Sequence, residues 1–134
     1  MPIQSTIIDG IIYTELSGQI NYDIVIKQID FISSLKGKIV NRYEFHDHTN
    51  TESINLTADD ISKIAAYSIK TKNIFQHSFL AIYAPNDFTF GIARMFAAFY
   101  ELEEHTIHAE IFRSKEDAIQ FLKNKMSKYG YQQH

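Results

Sequence analysis

The spacing of apolar residues changes period several times along the chain. Ile7-Ile8 and Ile11-Ile12 are separated by Asp9-Gly10. Asp-Gly between apolar runs signals a two-residue hairpin, because a type I′ turn needs positive φ at both central positions. An antiparallel hairpin is therefore expected over residues 5–16. Ser17-Gly18 breaks the run, and Asn21 is placed to cap a helix with Asp23 in its first turn. Tyr22, Val25, Ile29 and Ile32 recur at spacings of three and four, which puts them on one helical face. Gly37 is suited to end this helix in the left-handed conformation, with Lys36 near the negative end of the dipole.

Residues 39–45 then alternate as a strand, with Ile39, Asn41, Tyr43 and Phe45 on one side and Val40, Arg42, Glu44 and His46 on the other. A polar loop is expected over residues 46–55. Thr57 and Asp60 form a capping box with Asp in place of the longer Glu or Gln. The helix they open carries Ile61, Ile64, Ala65 and Ser68 on one side and runs towards Lys70 and Lys72. Phe79 to Ala84 is a continuous apolar run, which reads as a strand covered on both faces of a parallel sheet. Pro85 stops it, and Asn86 or Asp87 can cap a long helix reaching about residue 103. A strand over residues 106–112 follows. Ser114 and Asp117 then start a last helix through Ala118, Phe121 and Leu122, and the tail beyond Met126 is expected to fray. The order β-β-α-β-α-β-α-β-α predicts an α/β fold with a mixed, mostly parallel sheet, right-handed crossovers and one domain over residues 1–134.

Composition narrows the classes of function. The 134 residues are 45% apolar and 22% charged, with no Cys and no Trp. A chain of this length buries roughly 68–70% of its unfolded surface, enough for a core without covalent staples. Thirteen Lys and Arg stand against sixteen Asp and Glu, a formal charge of −3, which speaks against a basic nucleic-acid footprint or a polybasic membrane anchor. The lack of Cys excludes disulfides, thiolate metal sites and cysteine catalysis. No apolar run reaches the ~18 residues of a membrane helix, and the first residues lack a signal-peptide pattern. A cytoplasmic location is the expectation. No nucleophile elbow, Walker loop, dinucleotide glycine fingerprint or His-Glu-x-x-His motif is present, so neither an enzyme nor a cofactor is expected.

Three stretches carry a family resemblance: the run from Ala84-Pro85-Asn86-Asp87-Phe88-Thr89-Phe90 through Gly91-Ile92-Ala93-Arg94-Met95-Phe96, then Leu56-Thr57-Ala58-Asp59-Asp60-Ile61, and Ile111-Phe112-Arg113-Ser114-Lys115-Glu116-Asp117-Ala118. With the element order, they resemble the STAS fold of sulfate-transporter tails and anti-sigma-factor antagonists, and more closely a group of small bacterial STAS-like (SpoIIAA-like) proteins. The likeness extends over most of the chain after about residue 40; the first forty residues match in pattern only. It implies a regulatory module that binds a protein partner. It also implies a phosphate-accepting Ser or Thr at the start of the second helix, within an Asp-Ser-Ser-Gly-like stretch. Here that stretch reads Thr57-Ala58-Asp59-Asp60, without serine or glycine. Thr57 is its one hydroxyl and already has a capping role, while Asp59 and Asp60 would repel a phosphate that the helix N-terminus itself favours.

Other clusters admit both a plain and a functional reading. His46-Asp47-His48 ends the third expected strand, where residues two apart share a side. Two imidazoles and a carboxylate there are weak metal ligands without a further donor, and His105 and His108 belong at the other end of the sheet. The simpler reading is a polar loop. Arg42, Glu44 and His46 share one strand face, where pairing of Arg42 with Glu44 is the plain outcome and a cleft lining with a perturbed carboxylate the functional one. The loops after parallel strands gather where open α/β folds bind ligands, which groups His46, Asp47 and His48 with Asn86, Asp87 and Thr89 as a candidate ligand edge. Capping of the helix is the competing role for the last three.

The helix from residue 87 is apolar on nearly all sides. Phe88, Phe90, Ile92, Met95, Phe96, Phe99 and Tyr100 are interrupted mainly by Thr89, Arg94 and Glu101. A helix of that kind is covered on more than one side, so Phe88, Phe90, Arg94, Met95, Phe96 and Phe99 form a candidate partner surface, most simply a homodimer with Arg94 as its charged anchor. Two further functions compete. Ten Phe and eight Tyr can line a pocket for a lipid or small metabolite, and a metal-dependent hydrolase would use His46, Asp47 and His48.

Overall fold

A computed structural model describes residues 3–68, 74–102 and 107–130, with the last four residues of the middle range known by backbone alone. Asp9 and Gly10 both take positive φ, 51° and 83°, as the Asp-Gly turn requires. They fold β1 (Ile3–Ile8) back on β2 (Ile11–Leu16), with Ser5 opposite Thr14. The chain continues through β3 (Gly18–Asn21), α1 (Tyr22–Ser33), β4 (Arg42–Asp47), β5 (Thr51–Asn55) and α2 (Ala58–Ser68). It ends with β6 (Ser78–Tyr83), α3 (Asp87–Leu102), β7 (Ile107–Phe112) and α4 (Lys115–Tyr129). The main sheet has the order β1-β2-β4-β6-β7. Only β1 is antiparallel to its neighbour; the other three pairings are parallel.

The expected α/β architecture is therefore present, with two added strands. β3 and β5 form a small parallel ladder of their own. Residues 46–55 look like a plain polar loop because β5 buries only Thr51 and Ile54 among its five residues, too few for a visible alternation. β3 is equally cryptic, since Gly18 and Asn21 flank a single buried Ile20.

The helix starts follow the sequence reading. Asn21 Oδ1 accepts from the Ile24 amide at 3.0 Å, and Ser114 Oγ from the Asp117 amide at 3.3 Å. The α2 capping box is complete: Thr57 Oγ1 accepts from the Asp60 amide at 3.0 Å, and the Thr57 amide donates to Asp60 Oδ2 at 3.1 Å. The carboxyl-terminal expectation is corrected. α4 does not fray at Met126 but runs to Tyr129, because Met126 is buried and the helix end is tied to the sheet. Tyr43 Oη donates to the Gly130 carbonyl at 2.6 Å and Asn41 Nδ2 to the Tyr129 carbonyl at 3.3 Å.

The sheet separates two unlike layers. On one face, Ala118, Leu122 and Met126 of α4 pack on Ile11, Tyr43, Phe45, Phe79 and Ala81. On the other lie α1, α3 and the β3–β5 ladder. There Ile32 meets Ile12, and Phe90, Ala93 and Phe96 meet Leu80, Ile82 and Ile107. Ile24, Val25 and Ile92 close over Leu16, Ile20 and Ile54. Lys70 and Lys72 lie outside the described residues.

Candidate functional site

Strand alternation sends Arg42, Glu44 and His46 to the α1–α3 side of β4, between rows of aliphatic residues. Glu44 has no exposed surface, and a bare carboxylate there would be prohibitively costly. Its partners remove that cost. Arg42 donates to Oε1 through Nε at 2.9 Å and Nη2 at 2.6 Å. Oε2 receives Gln28 Nε2 at 3.0 Å, Thr14 Oγ1 at 3.3 Å and His46 Nε2 at 2.5 Å. Ser5 extends the network, 2.9 Å from Thr14 Oγ1 and 3.3 Å from Gln28 Oε1. Burial alone would push the Glu44 carboxyl up, but the charges of His46 and Arg42 and their hydrogen bonds outweigh it and hold the group well below the usual carboxylate range. The plain reading of Arg42 with Glu44, a local pair, is what forms. Arg42 Nη1 is buried without an acceptor among the described residues.

Beside this network a cleft opens between α1, α3 and the β3–β5 ladder. It holds about 590 Å³ counting its open mouth. Among the described residues its walls are mainly aliphatic, including Leu16, Ile20, Ile54, Ile82 and Ile92, with Phe96 the one phenylalanine. The polar side chains of Gln28, His46, His48 and Thr89 also line it. The aromatic-lined pocket expected from composition is thus corrected to an aliphatic one, because many of the described rings pack on the α4 face instead. Tyr43 stacks on Phe79 and Phe45 on Tyr83, and Phe79 meets Phe121 edge to face.

The candidate ligand edge divides. His46, His48 and Thr89 line the cleft; Asp47, Asn86 and Asp87 do not. Asp47 Oδ1 closes a local turn by accepting from the Thr49 amide at 2.9 Å and its hydroxyl at 2.5 Å. Asn86 Oδ1 caps α3 by accepting from the Thr89 amide at 2.9 Å, and the Thr89 hydroxyl turns back to the same oxygen at 3.0 Å. Asp87 is exposed and paired with Arg113 at 2.7 Å. His48 is buried, and its Nδ1 lies 2.9 Å from Thr51 Oγ1. The Thr51 hydroxyl has only one proton and donates it to the Leu16 carbonyl at 2.7 Å, so His48 Nδ1 carries the proton and Nε2 an unshared pair. Burial, reinforced by the charge of His46, lowers the pKa of His48 to about 4.

Among the described residues no three His, Asp or Glu side chains are grouped to hold a metal. His105 lies outside them, and His108 sits on β7 beside Phe79. Thr57 is exposed at the mouth of α2 with its oxygen engaged in the capping box. The candidate partner surface on α3 is also split. Phe90 and Phe96 pack inwards, Met95 is half-buried, Arg94 is exposed, and Phe88 is 57% exposed; Phe99 is known by backbone alone. Arg113 lies over the Phe90 ring at 4.3 Å from its centroid.

Sequence reasoning overlooks Gln28, Thr14 and Thr51. Gln28 was detectable, since it sits among Ile24, Val25, Ile29 and Ile32 on the apolar stripe of α1. Thr14 likewise interrupts the core-facing series Ile12, Thr14, Leu16. Thr51 carried no signal while β5 went unseen.

These elements in this order are the SpoIIAA-like, STAS-like α/β fold, as the sequence resemblance implied. A protein of the DUF3478 family from Shewanella loihica PV-4, described as having a SpoIIAA-like fold, superposes with a TM-score of 0.55 at 17% identity, over 90% of this chain and 91% of that one. The anti-sigma factor antagonist SpoIIAA in its unphosphorylated form gives a TM-score of 0.50 at 10% identity, over 90% and 97%. No family model and no curated protein sequence matches the chain. No described helix is long and apolar enough to cross a membrane.

Proposed function

We propose that the chain is a non-catalytic, regulatory STAS-like module acting through a protein partner, with self-association into a homodimer as its simplest form. The observation that carries this reading is Phe88, exposed at the start of α3 beside the Asp87–Arg113 pair. A large apolar ring rimmed by charges is the composition of a contact surface. Arg94, also exposed on α3, extends that surface with a donor fork for a partner carboxylate. The likeness to an anti-sigma factor antagonist supports the same class of role. Phe96 and Phe90 serve the surface indirectly, by seating α3 on the sheet.

Light scattering over a concentration series tests the proposal. A dimer whose dissociation constant rises at least tenfold in Phe88→Ser and Arg94→Ala supports it. A strict monomer at high concentration that captures no protein from lysate overturns it.

A second reading has its own support in the cleft, whose aliphatic walls suit a small apolar ligand. Native mass spectrometry of the purified protein checks this reading: a retained small molecule supports it.

A further inference from the structure

The cleft-lining polar groups are unusual in what they offer. Gln28 commits both amide protons, to Thr14 and Glu44. Thr89 turns its hydroxyl proton to Asn86. His46 places Nε2 on the Glu44 carboxylate, and His48 gives its Nδ1 proton to Thr51. Gln28, Thr89 and His48 therefore hold no proton that is free for a ligand. What remains is acceptor capacity, and its best-defined atom is His48 Nε2, to which no described residue donates. The tautomer is fixed from behind by the Thr51 bond to the Leu16 carbonyl. Burial keeps the ring uncharged near neutral pH.

An anionic ligand would set its charge against the Nε2 lone pair among aliphatic walls, and a plain hydrocarbon would leave that lone pair unpaired. A molecule that is apolar over most of its surface and carries one O–H or N–H satisfies both the walls and the acceptor. We propose that the cleft binds a small, uncharged, largely apolar molecule bearing one hydroxyl-type donor, received by Nε2 of His48. This proposal rests on the ligand-cleft reading above and adds the polarity of the ligand and the residue that reads it.

Phenol, benzene and benzoate form a matched series that differs only in the head group. Amide chemical-shift titrations at about pH 8 should show saturable binding of phenol at least tenfold tighter than benzene, with benzoate weakest. In His48→Leu the preference for phenol over benzene should vanish while benzene still binds. Equal affinities for phenol and benzene in the wild type overturn the assignment of the donor but leave the apolar cleft standing. Benzoate binding tightest also overturns it, by revealing a free donor or positive charge. Binding of none of the three removes both the assignment and the cleft reading. Because the wild-type series stands alone, a failure of His48→Leu to fold does not remove the test.

Discussion

The two faces of the central sheet solve the burial problem in opposite ways. Against α4 the sheet presents rings and aliphatic side chains, and stacking and dispersion fill the layer. Against α1 and α3 it presents an ion pair, a hydrogen-bonded network and a cleft. The difference originates in one strand, since β4 alternates Tyr43 and Phe45 with Arg42, Glu44 and His46. A dry face tolerates no space, because each missing methylene forfeits contacts directly. The wet face can stop short of close packing, because polar groups hold its walls at fixed positions. The cleft lies on the face that can keep it.

The strongest way to break this contrast is to remove the centre of the wet face. Glu44→Ala leaves the buried Arg42 guanidinium unpaired and should cost about 4 kcal/mol in urea unfolding, whereas Arg42→Met with Glu44→Leu should recover most of that. A double variant as unstable as the single one would show that the network stabilises by more than mutual compensation. On the dry face, Leu122→Ala should cost about 3 kcal/mol through lost contact and an unfilled cavity, with no change in pH dependence.

Acid should separate the faces next. His48 is neutral in the folded state, with its pKa lowered to about 4, against an ordinary value of about 6.5. The unfolded chain takes up a proton that the folded chain refuses, so this contribution is complete above about pH 6.5 and is lost as pH falls towards 4. Between pH 7 and pH 5 the unfolding free energy should drop by about 2 kcal/mol, and His48→Leu should flatten that slope. Glu44, held below the carboxylate range, adds its own loss only below the unfolded value of about 4.3. The smallest effect belongs to the rim: Ser5→Ala should cost about 0.5–1 kcal/mol, since Thr14 and Gln28 keep their bonds to Glu44.

Most of the fold was legible because its signals are local. The Asp9-Gly10 turn, the Asn21 and Ser114 caps, the Thr57–Asp60 box and the stripe Ile61, Ile64, Ala65, Ser68 each specify structure within a few residues. The Arg42–Glu44 pair was legible for the same reason, being two positions apart on one strand. The cleft was not, because its walls are long-range. β3 and β5 each bury one isoleucine and become strands only by pairing with each other. The tautomer of His48 depends on Thr51 and on Leu16, thirty-five residues earlier than Thr51. The polarity of a site set by such relays cannot be read from the run His46-Asp47-His48 alone.

The bond from Tyr43 to the Gly130 carbonyl joins residues 87 apart in the chain, and it has a consequence for biosynthesis. Synthesis proceeds from the amino terminus at roughly 5–20 residues per second, so β1, β2, β4 and β6 leave the ribosome before α4 exists. For several seconds Tyr43, Phe45 and Phe79 have no cover, while the opposite face can already recruit α1 and its buried glutamine. The nascent chain therefore passes through a stage with one finished side and one sticky aromatic side. A ribosome stalled before residue 115 should display that side to chaperones, and release of the last helix is the event that conceals it.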